Sequence, residues 1–373
     1  MRGRFVERSI QARVLEVQGK CEEALDVIED ALANIPEGVY DGRAIPVEVH
    51  LAKLKELYAV TCRRLEKPRE ALEMLSRPNV TTSTPAHLIA GAVSPNFNAL
   101  FERGHAFELL ENYAAAWDCF LGANLTQALP FDPEELERRI KGPQKAPSTN
   151  TSTRSGSNLI FIVGIPRSGT SLLEQILGRH SKVTPMGERG DFIEFSHDLS
   201  GRGWPDIEVS QLDRLADSYL SRCPEGEIFT DKMPGNWYQL KLIKQVFPDA
   251  KVIHCVRDPQ DCLLSCFKQR FSQNGLSWAA SPEGIIQYYR LWEEVGVDEF
   301  EVQYETLVEN PEGEIRRILS FLEIPFEESC LSPEASDRFV ATASYAQVKK
   351  PIHTKSIGVG HNYKKWLPIK KTS

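Results

Sequence analysis

The stretch NLIFIVGIPRSGTS, ending at Ser171, constrains the fold more than any other part of the chain. Its apolar, β-branched run reads as a fully buried strand, and the glycines at 164 and 169, followed by hydroxyls, read as a tight turn into a helix. This is the frame of the phosphate-cradling loop G-x-x-x-x-G-K-[ST], except that Thr170 stands where the lysine belongs and Arg167 sits inside the loop. Successive backbone N–H groups and the positive end of the following helix hold an anion by themselves. A nucleoside triphosphatase would add the missing lysine and a magnesium-holding aspartate on a second strand. Here the strand EIFT leads to Asp231, but Lys232 follows directly and would compete with a metal. Arg167 offers a planar fork for an oxyanion, so no metal is expected.

The chain around this loop divides in two. Residues 1–140 read as helices almost throughout, with small residues at helical spacing in ARVLEVQGKCEEALDVIEDALANIP, LEKPREALEML and RGHAFELLENYAAAWDCFLGANL. The alanines at 24, 71 and 116 match across the three segments and are spaced more widely than the roughly 34 residues of a regular tetratricopeptide repeat. The units resemble degenerate tetratricopeptide repeats, which implies a concave face for a peptide or protein partner. The first unit reads as lacking most of its leading helix, so the chain is read as starting inside a repeat array. An ordinary helical bundle is the alternative reading. Residues 141–158, KGPQKAPSTNTSTRSGSN, have almost nothing to bury and read as a flexible linker. From 159 to 373, LIFIV, EIFT, AKVIHCV and FEVQY alternate with helical stretches, the pattern of an α/β domain with a parallel sheet flanked by helices. Its ligand is expected at the carboxyl ends of the strands.

A net charge of −8 argues against a surface built for nucleic acid, so an anion must be held locally. Eight cysteines without C-x-x-C pairs suggest reduced thiols, and no run is long enough for a membrane span, so a cytoplasmic protein is expected. A second anion site is legible in RDPQDCLLS. Asp258 and Pro259 form a helix start, which leaves Arg257 at a strand end and Ser265 about two turns into the helix. On the residues of this motif alone, a structural ion pair of Arg257 with Asp258 or Asp261 is the favoured reading.

Together PRSGTS and RDPQDCLLS, each after a strand and in this order, resemble the sulfotransferase family. The resemblance covers about 159–367 and extends to repeat-linked sulfotransferases and the catalytic part of tyrosylprotein sulfotransferases. It implies a P-loop-like sulfotransferase fold and 3′-phosphoadenosine-5′-phosphosulfate as donor. Pro166, Arg167, Ser168, Gly169, Thr170 and Ser171 would then hold the 5′-phosphosulfate, and Arg257 and Ser265 the 3′-phosphate. Tyr304, in QYETLVENPEGEIRRILSFL, would line the nucleotide pocket. QVKKPI makes Lys350 a further candidate nucleotide contact, but beyond Ser356 the chain carries GVG where repeat-linked members carry G-R-W, so a solvated basic tail is the alternative there.

Sulfuryl transfer needs a base for the acceptor hydroxyl and cations for the charge that grows on the leaving phosphate. Glu188 in PMGERGDF is the preferred base, with a solvent-facing pair to Arg189 as the alternative reading and His180 as the competing base. Lys232 in TDKMPGNW, with Arg167, is the preferred stabiliser of the leaving group, the alternative being a surface lysine beside Asp231. The acceptor, on a peptide, sugar or small molecule, is not legible. A catalytically silent nucleotide-binding scaffold and a P-loop kinase or triphosphatase are the competing functions.

Overall fold

The computed structural model describes residues 2–34, 47–77, 97–127, 130–146, 150–270, 276–335 and 351–369. The chain forms two compact units, one of Met1–Pro130 with Phe267–Asn274, the other of Phe131–Cys266 with Gly275–Ser373.

The first unit is built from three helix pairs: α1 (Arg2–Val17) with α2 (Cys21–Ala33), α3 (Val47–Arg64) with α4 (Pro68–Ser76), and α5 (Phe97–Leu109) with α6 (Tyr113–Gln127). The three connections are copies of one turn. Gly19, Glu66 and Glu111 take left-handed φ values of 81°, 55° and 57°. The next residue in each case, Lys20, Lys67 or Asn112, donates its N–H to the carbonyl five positions back, on Leu15, Cys62 or Phe107. This wrap satisfies carbonyls left over at the helix end. The same three residues then accept from the N–H of Ala24, Ala71 and Ala116, all of them buried. Alanine there lets paired helices approach closely, which is why these positions repeat in the sequence. The first pair has a full leading helix in α1, against the expectation of a shortened one. Phe267–Asn274, from far along the chain, completes this unit: Trp117 stacks on Phe267 at 4.7 Å, and Lys268 pairs with Glu108 at 2.6 Å.

The second unit holds a five-stranded, all-parallel sheet in the order β2-β3-β1-β4-β5. Its strands are β1 (Leu159–Gly164), β2 (Val183–Pro185), β3 (Ile228–Asp231), β4 (Lys251–Val256) and β5 (Phe300–Gln303). Crossover helices follow: α8 (Thr170–Leu177) after β1, α9 (Asp191–Gly201) and α10 (Val209–Leu220) after β2, α11 (Leu240–Val246) after β3, α12 (Pro259–Phe267) and α13 (Pro282–Val295) after β4, and α14 (Tyr304–Glu309) and α15 (Pro311–Leu322) after β5. On one face Ile160, Ile162, Ile253 and Val302 pack against Leu173, Ile176, Ile315 and Ile318. On the other, Phe161 meets Phe192, Tyr219 and Phe247. Each fully buried aromatic ring of this kind stabilises the fold by about 1.5–3 kcal/mol. Because all strands run the same way, the turns after 164, 185, 231, 256 and 303 share one edge of the sheet.

Four of the strands lie where the alternating pattern puts them. The edge strand β2, only three residues long and ending in Pro185, carries too little pattern to be read. The stretch expected as a flexible linker is anchored where it is described. Helix α7 (Pro133–Lys141), capped by Asp132, runs into its start. Farther on, Ser152 and Thr153 bond the carboxylate of Asp213, Arg154 pairs with Asp217 at 2.6 Å, and Asn150 donates to the Ile207 carbonyl at 2.9 Å. The polar composition that looks solvated supplies those bonds. No described helix is long and apolar enough to cross a membrane.

Candidate active site

The loop after β1 takes its shape from two glycines. A Cβ on Gly164 (φ 151°) would lie 2.4 Å from the Cys255 carbonyl oxygen, and one on Gly169 (φ 100°) would lie 2.7 Å from the Tyr304 ring. Between them Arg167 itself is held at φ 76°, a left-handed conformation that costs a non-glycine residue about 1–2 kcal/mol. Pro166, just before it, accepts at its carbonyl from the thiols of Cys262 and Cys266, at 3.1 and 3.2 Å. Ser168, 2% exposed, has a hydroxyl with no hydrogen-bond partner inside the loop. Thr170 and Ser171 open α8 and are buried, so the loop, an unpaired hydroxyl and a helix N-terminus converge on one point.

Arg257, at the end of β4, is drawn into the same place. It donates to the Arg167 carbonyl at 3.0 Å and to the Ser356 carbonyl at 2.6 Å, and its guanidinium lies 4.5 Å from the centre of the Tyr304 ring. Its Nε is buried without a partner. Asp261 is 3.9 Å away, while the Asp258 carboxylate caps α12 by accepting from the Asp261 N–H at 3.0 Å. The expected helix start is therefore real, and carbonyls rather than carboxylates make the close contacts to Arg257. Arg167 donates from Nε to the Ser265 hydroxyl at 3.0 Å. Burial, reinforced by the charge of Arg257, presses the Arg167 guanidinium below its ordinary value.

The basic segment after Ser356 is not a solvated tail. Gly358 and Gly360 donate their N–H groups to the Asp261 carboxylate, at 2.6 and 2.5 Å. Gln260 bonds both the Leu367 carbonyl and the Ile369 N–H. The GVG sequence thus docks on the first turn of α12 through its backbone. Lys350 lies outside the described residues.

At the neighbouring strand end Lys232 donates to Glu188 at 2.5 Å. The lysine side chain is 0% exposed and the glutamate 40%, so the ammonium is enclosed while the carboxylate faces outward. Neither alternative reading describes this pair: Lys232 is not a surface lysine, and Arg189 turns away to Asp191 and the Tyr219 ring. Asp231 accepts from the Tyr219 hydroxyl at 2.8 Å, and burial pushes its carboxyl up to about 7. His180 is fixed by backbone: Lys182 N–H donates to its Nδ1, which leaves Nε2–H to donate to the Pro325 carbonyl at 2.9 Å. That network gives the imidazole a structural place, away from Glu188 and Lys232.

Three residues escaped the sequence reading. Asp261 is legible only as an ion-pair partner for Arg257 and Gln260 only as part of a helix, whereas their partners here lie about a hundred residues on. Glu174, buried on α8, accepts from the Gly187 N–H and the Thr230 hydroxyl; a lone carboxylate inside TSLLEQIL was the available signal. Chemically, the sheet edge offers an anion cradle, two guanidinium groups beside a hydroxyl, and an enclosed ammonium next to an accessible carboxylate. Among the described residues no carboxylate, histidine and cysteine group is arranged to hold a metal ion.

The family model described as the sulfotransferase family matches residues 159–328. An uncharacterized protein of Aquifex aeolicus is 33% identical over 270 residues, covering 64% of this chain and 33% of the relative. Human protein-tyrosine sulfotransferase 1 is 25% identical over 236 residues, covering 53% of this chain and 64% of that protein. The chain thus spans a third of the Aquifex relative and under two thirds of the human one. A solved sulfotransferase domain, from the olefin synthase of Synechococcus PCC 7002, is 23% identical with a TM-score of 0.41, covering 61% of this chain and 92% of that domain.

Proposed function

We propose, from the match of residues 159–328 to the sulfotransferase family, that this chain transfers a sulfuryl group from 3′-phosphoadenosine-5′-phosphosulfate to an acceptor hydroxyl by in-line displacement. The observation that carries the reading is the convergence of Arg167, Arg257, Ser265 and Tyr304 on the loop after β1. The unpaired Ser168 hydroxyl and the unpaired Arg257 Nε suit an anionic ligand with two separate phosphate groups. In this reading Ser168, Gly169, Thr170 and Ser171 hold the 5′-phosphosulfate, and Arg257 and Ser265 hold the 3′-phosphate beside Tyr304. Glu188 takes the proton from the attacking hydroxyl. Lys232 and Arg167 stabilise the negative charge that grows on the leaving phosphate as the sulfur–oxygen bond breaks.

Two observations favour transfer over the competing functions. An ammonium enclosed beside an outward-facing carboxylate, as in Lys232 and Glu188, supports a reacting pair more than a silent scaffold. The carboxylate that a triphosphatase would turn to magnesium, Asp231, is instead bound to Tyr219 and disposed to keep its proton. The curated relatives named as protein-tyrosine sulfotransferases make tyrosine in a protein the first acceptor to try, with sugar and small-molecule hydroxyls behind it. We read the three repeated helix pairs as a tetratricopeptide-like surface for a protein partner. Five buried free thiols suit a reducing compartment such as the cytoplasm.

Titration calorimetry with 3′-phosphoadenosine-5′-phosphate, against ATP with magnesium, tests the donor. Binding of the first and not the second is expected, and the reverse result would sink the proposal. Labelled donor offered to tyrosine peptides, sugars and alcohols then tests transfer. Donor binding with no transfer to any acceptor would leave the silent scaffold.

A further inference from the structure

Glu174 stands in the middle of α8 with 2% of its surface exposed, among leucines and isoleucines. A carboxylate in such a place is costly unless it accepts hydrogen bonds. Its Oε1 accepts two, from the Gly187 N–H at 2.9 Å and from the Thr230 hydroxyl at 3.1 Å. Gly187 directly precedes Glu188, and Thr230 stands two residues before Lys232, so the two donors come from the two chain segments that carry the carboxylate–ammonium pair. Those segments are also tied to each other. Lys232 N–H donates to the Gly187 carbonyl at 2.8 Å, and Met186 N–H donates to the Thr230 carbonyl at 2.9 Å. Gly187 is therefore held through both of its backbone groups, its N–H by Glu174 and its carbonyl by the Lys232 N–H. Glu174 itself sits one turn into the helix whose N-terminus is the anion loop.

We propose that Glu174 is the positioning residue that fixes the Glu188–Lys232 pair relative to the loop after β1. It touches neither donor nor acceptor. It acts through the Gly187 peptide and Thr230, and it joins the loop helix to the two segments that supply the proposed base and the proposed leaving-group cation. The inference rests on the sulfuryl-transfer reading for what those two groups do. A displacement of about 1 Å in such a group costs roughly 10²-fold in rate. The contacts described above for Arg167, Ser265 and Arg257 do not pass through Glu174, so donor affinity should survive its loss.

The test compares Glu174→Ala, Glu174→Gln and Thr230→Val with the wild type. For Glu174→Ala, kcat is expected to fall about 10²-fold, while KM for the donor and the affinity for 3′-phosphoadenosine-5′-phosphate stay within a few-fold. Glu174→Gln keeps an accepting oxygen and should recover part of the loss; Thr230→Val leaves the Gly187 bond and should lose less than the alanine variant. A second readout is independent of catalysis: acetylation of Lys232 by acetic anhydride, followed by mass spectrometry, should be slow in the wild type and several-fold faster in Glu174→Ala. Unchanged kcat together with unchanged labelling would overturn the proposal, as would a loss of nucleotide affinity as large as the loss of kcat. If Glu174→Ala does not fold, Thr230→Val carries both readouts. If the wild type transfers sulfuryl groups to nothing, the transfer reading fails, and the labelling result alone still decides whether Glu174 positions Lys232.

Discussion

The two units solve the problem of a stable interior in opposite ways. The helical unit repeats one solution three times: a left-handed turn residue, an N–H returned to the carbonyl five positions back, and a buried alanine four residues after the residue that donates it. Its interior is mostly apolar, with Glu16 enclosed and paired with Arg64 at 2.5 Å and Lys55 donating to the Arg77 carbonyl. The sheet unit repeats nothing. It buries Lys232, Glu174 and Asp231 and half-buries Arg167, and each meets a particular partner supplied by another segment. A buried ion or carboxyl contributes little net stability compared with an apolar side chain, so its presence there is better explained by chemistry than by folding. The contrast teaches where to look: the buried ionisable groups of the sheet unit gather at the strand ends where the proposed chemistry sits, and the repeated helix pairs form the proposed partner surface.

That contrast can be broken in several places. The largest expected effect is on rate. Glu188→Gln should lower kcat by about 10²–10⁴-fold, and Lys232→Ala by about 10²-fold or more, each with nucleotide binding retained. Turnover near the wild-type value in a Lys232→Ala variant would remove the lysine from the chemistry. Next comes a pH effect confined to the sheet unit. The Asp231 carboxyl is raised from 3.8 to about 7 in the folded protein, chiefly by burial. The folded state therefore holds the proton more tightly than the unfolded state, and the stabilisation from this group is complete below about pH 4 and lost as pH rises through 7. The lost stability is about 4 kcal/mol at most. Urea unfolding of the wild type and Asp231→Asn between pH 5 and 8 should show the wild type losing ground to the variant as pH rises; parallel curves would dismiss the account.

The smallest effect belongs to the helical unit. Ala71→Leu overfills one repeat and should cost about 1–3 kcal/mol, seen as an earlier loss of helical circular dichroism on heating. Affinity for 3′-phosphoadenosine-5′-phosphate should not change. A large loss of affinity in that variant would end the division of labour drawn above.

What the sequence discloses follows the same division. The strand–loop–helix around GIPRSGTS, four of the five strands, and the three alanines are local patterns, and each is legible because a short window contains it. Arg257 and Ser265 are legible as a pair because one helix sets their spacing. The clamp of Asp261 on Gly358 and Gly360, the meeting of Lys232 with Glu188, and the part of Phe267–Asn274 in the helical unit depend on contacts between distant segments. No window of sequence holds both partners of any of these. The stretch around Ser152 was misread for a related reason: polar residues look solvated until the carboxylates that receive them, Asp213 and Asp217, are brought alongside.

One pair of contacts bears on how this protein can be handled at the bench. The thiols of Cys262 and Cys266 both donate to the Pro166 carbonyl, and burial pushes the first up to about 12 and the second well above its usual value. Only the thiolate reacts with maleimides, so these two positions should stay silent to such dyes, whereas the partly exposed Cys21 and Cys119 of the helical unit and Cys223 of the sheet unit can take them. With Cys223 replaced by serine, a fluorophore pair on Cys21 and Cys119 could then follow the helical unit during partner binding with Cys262 and Cys266 left in place.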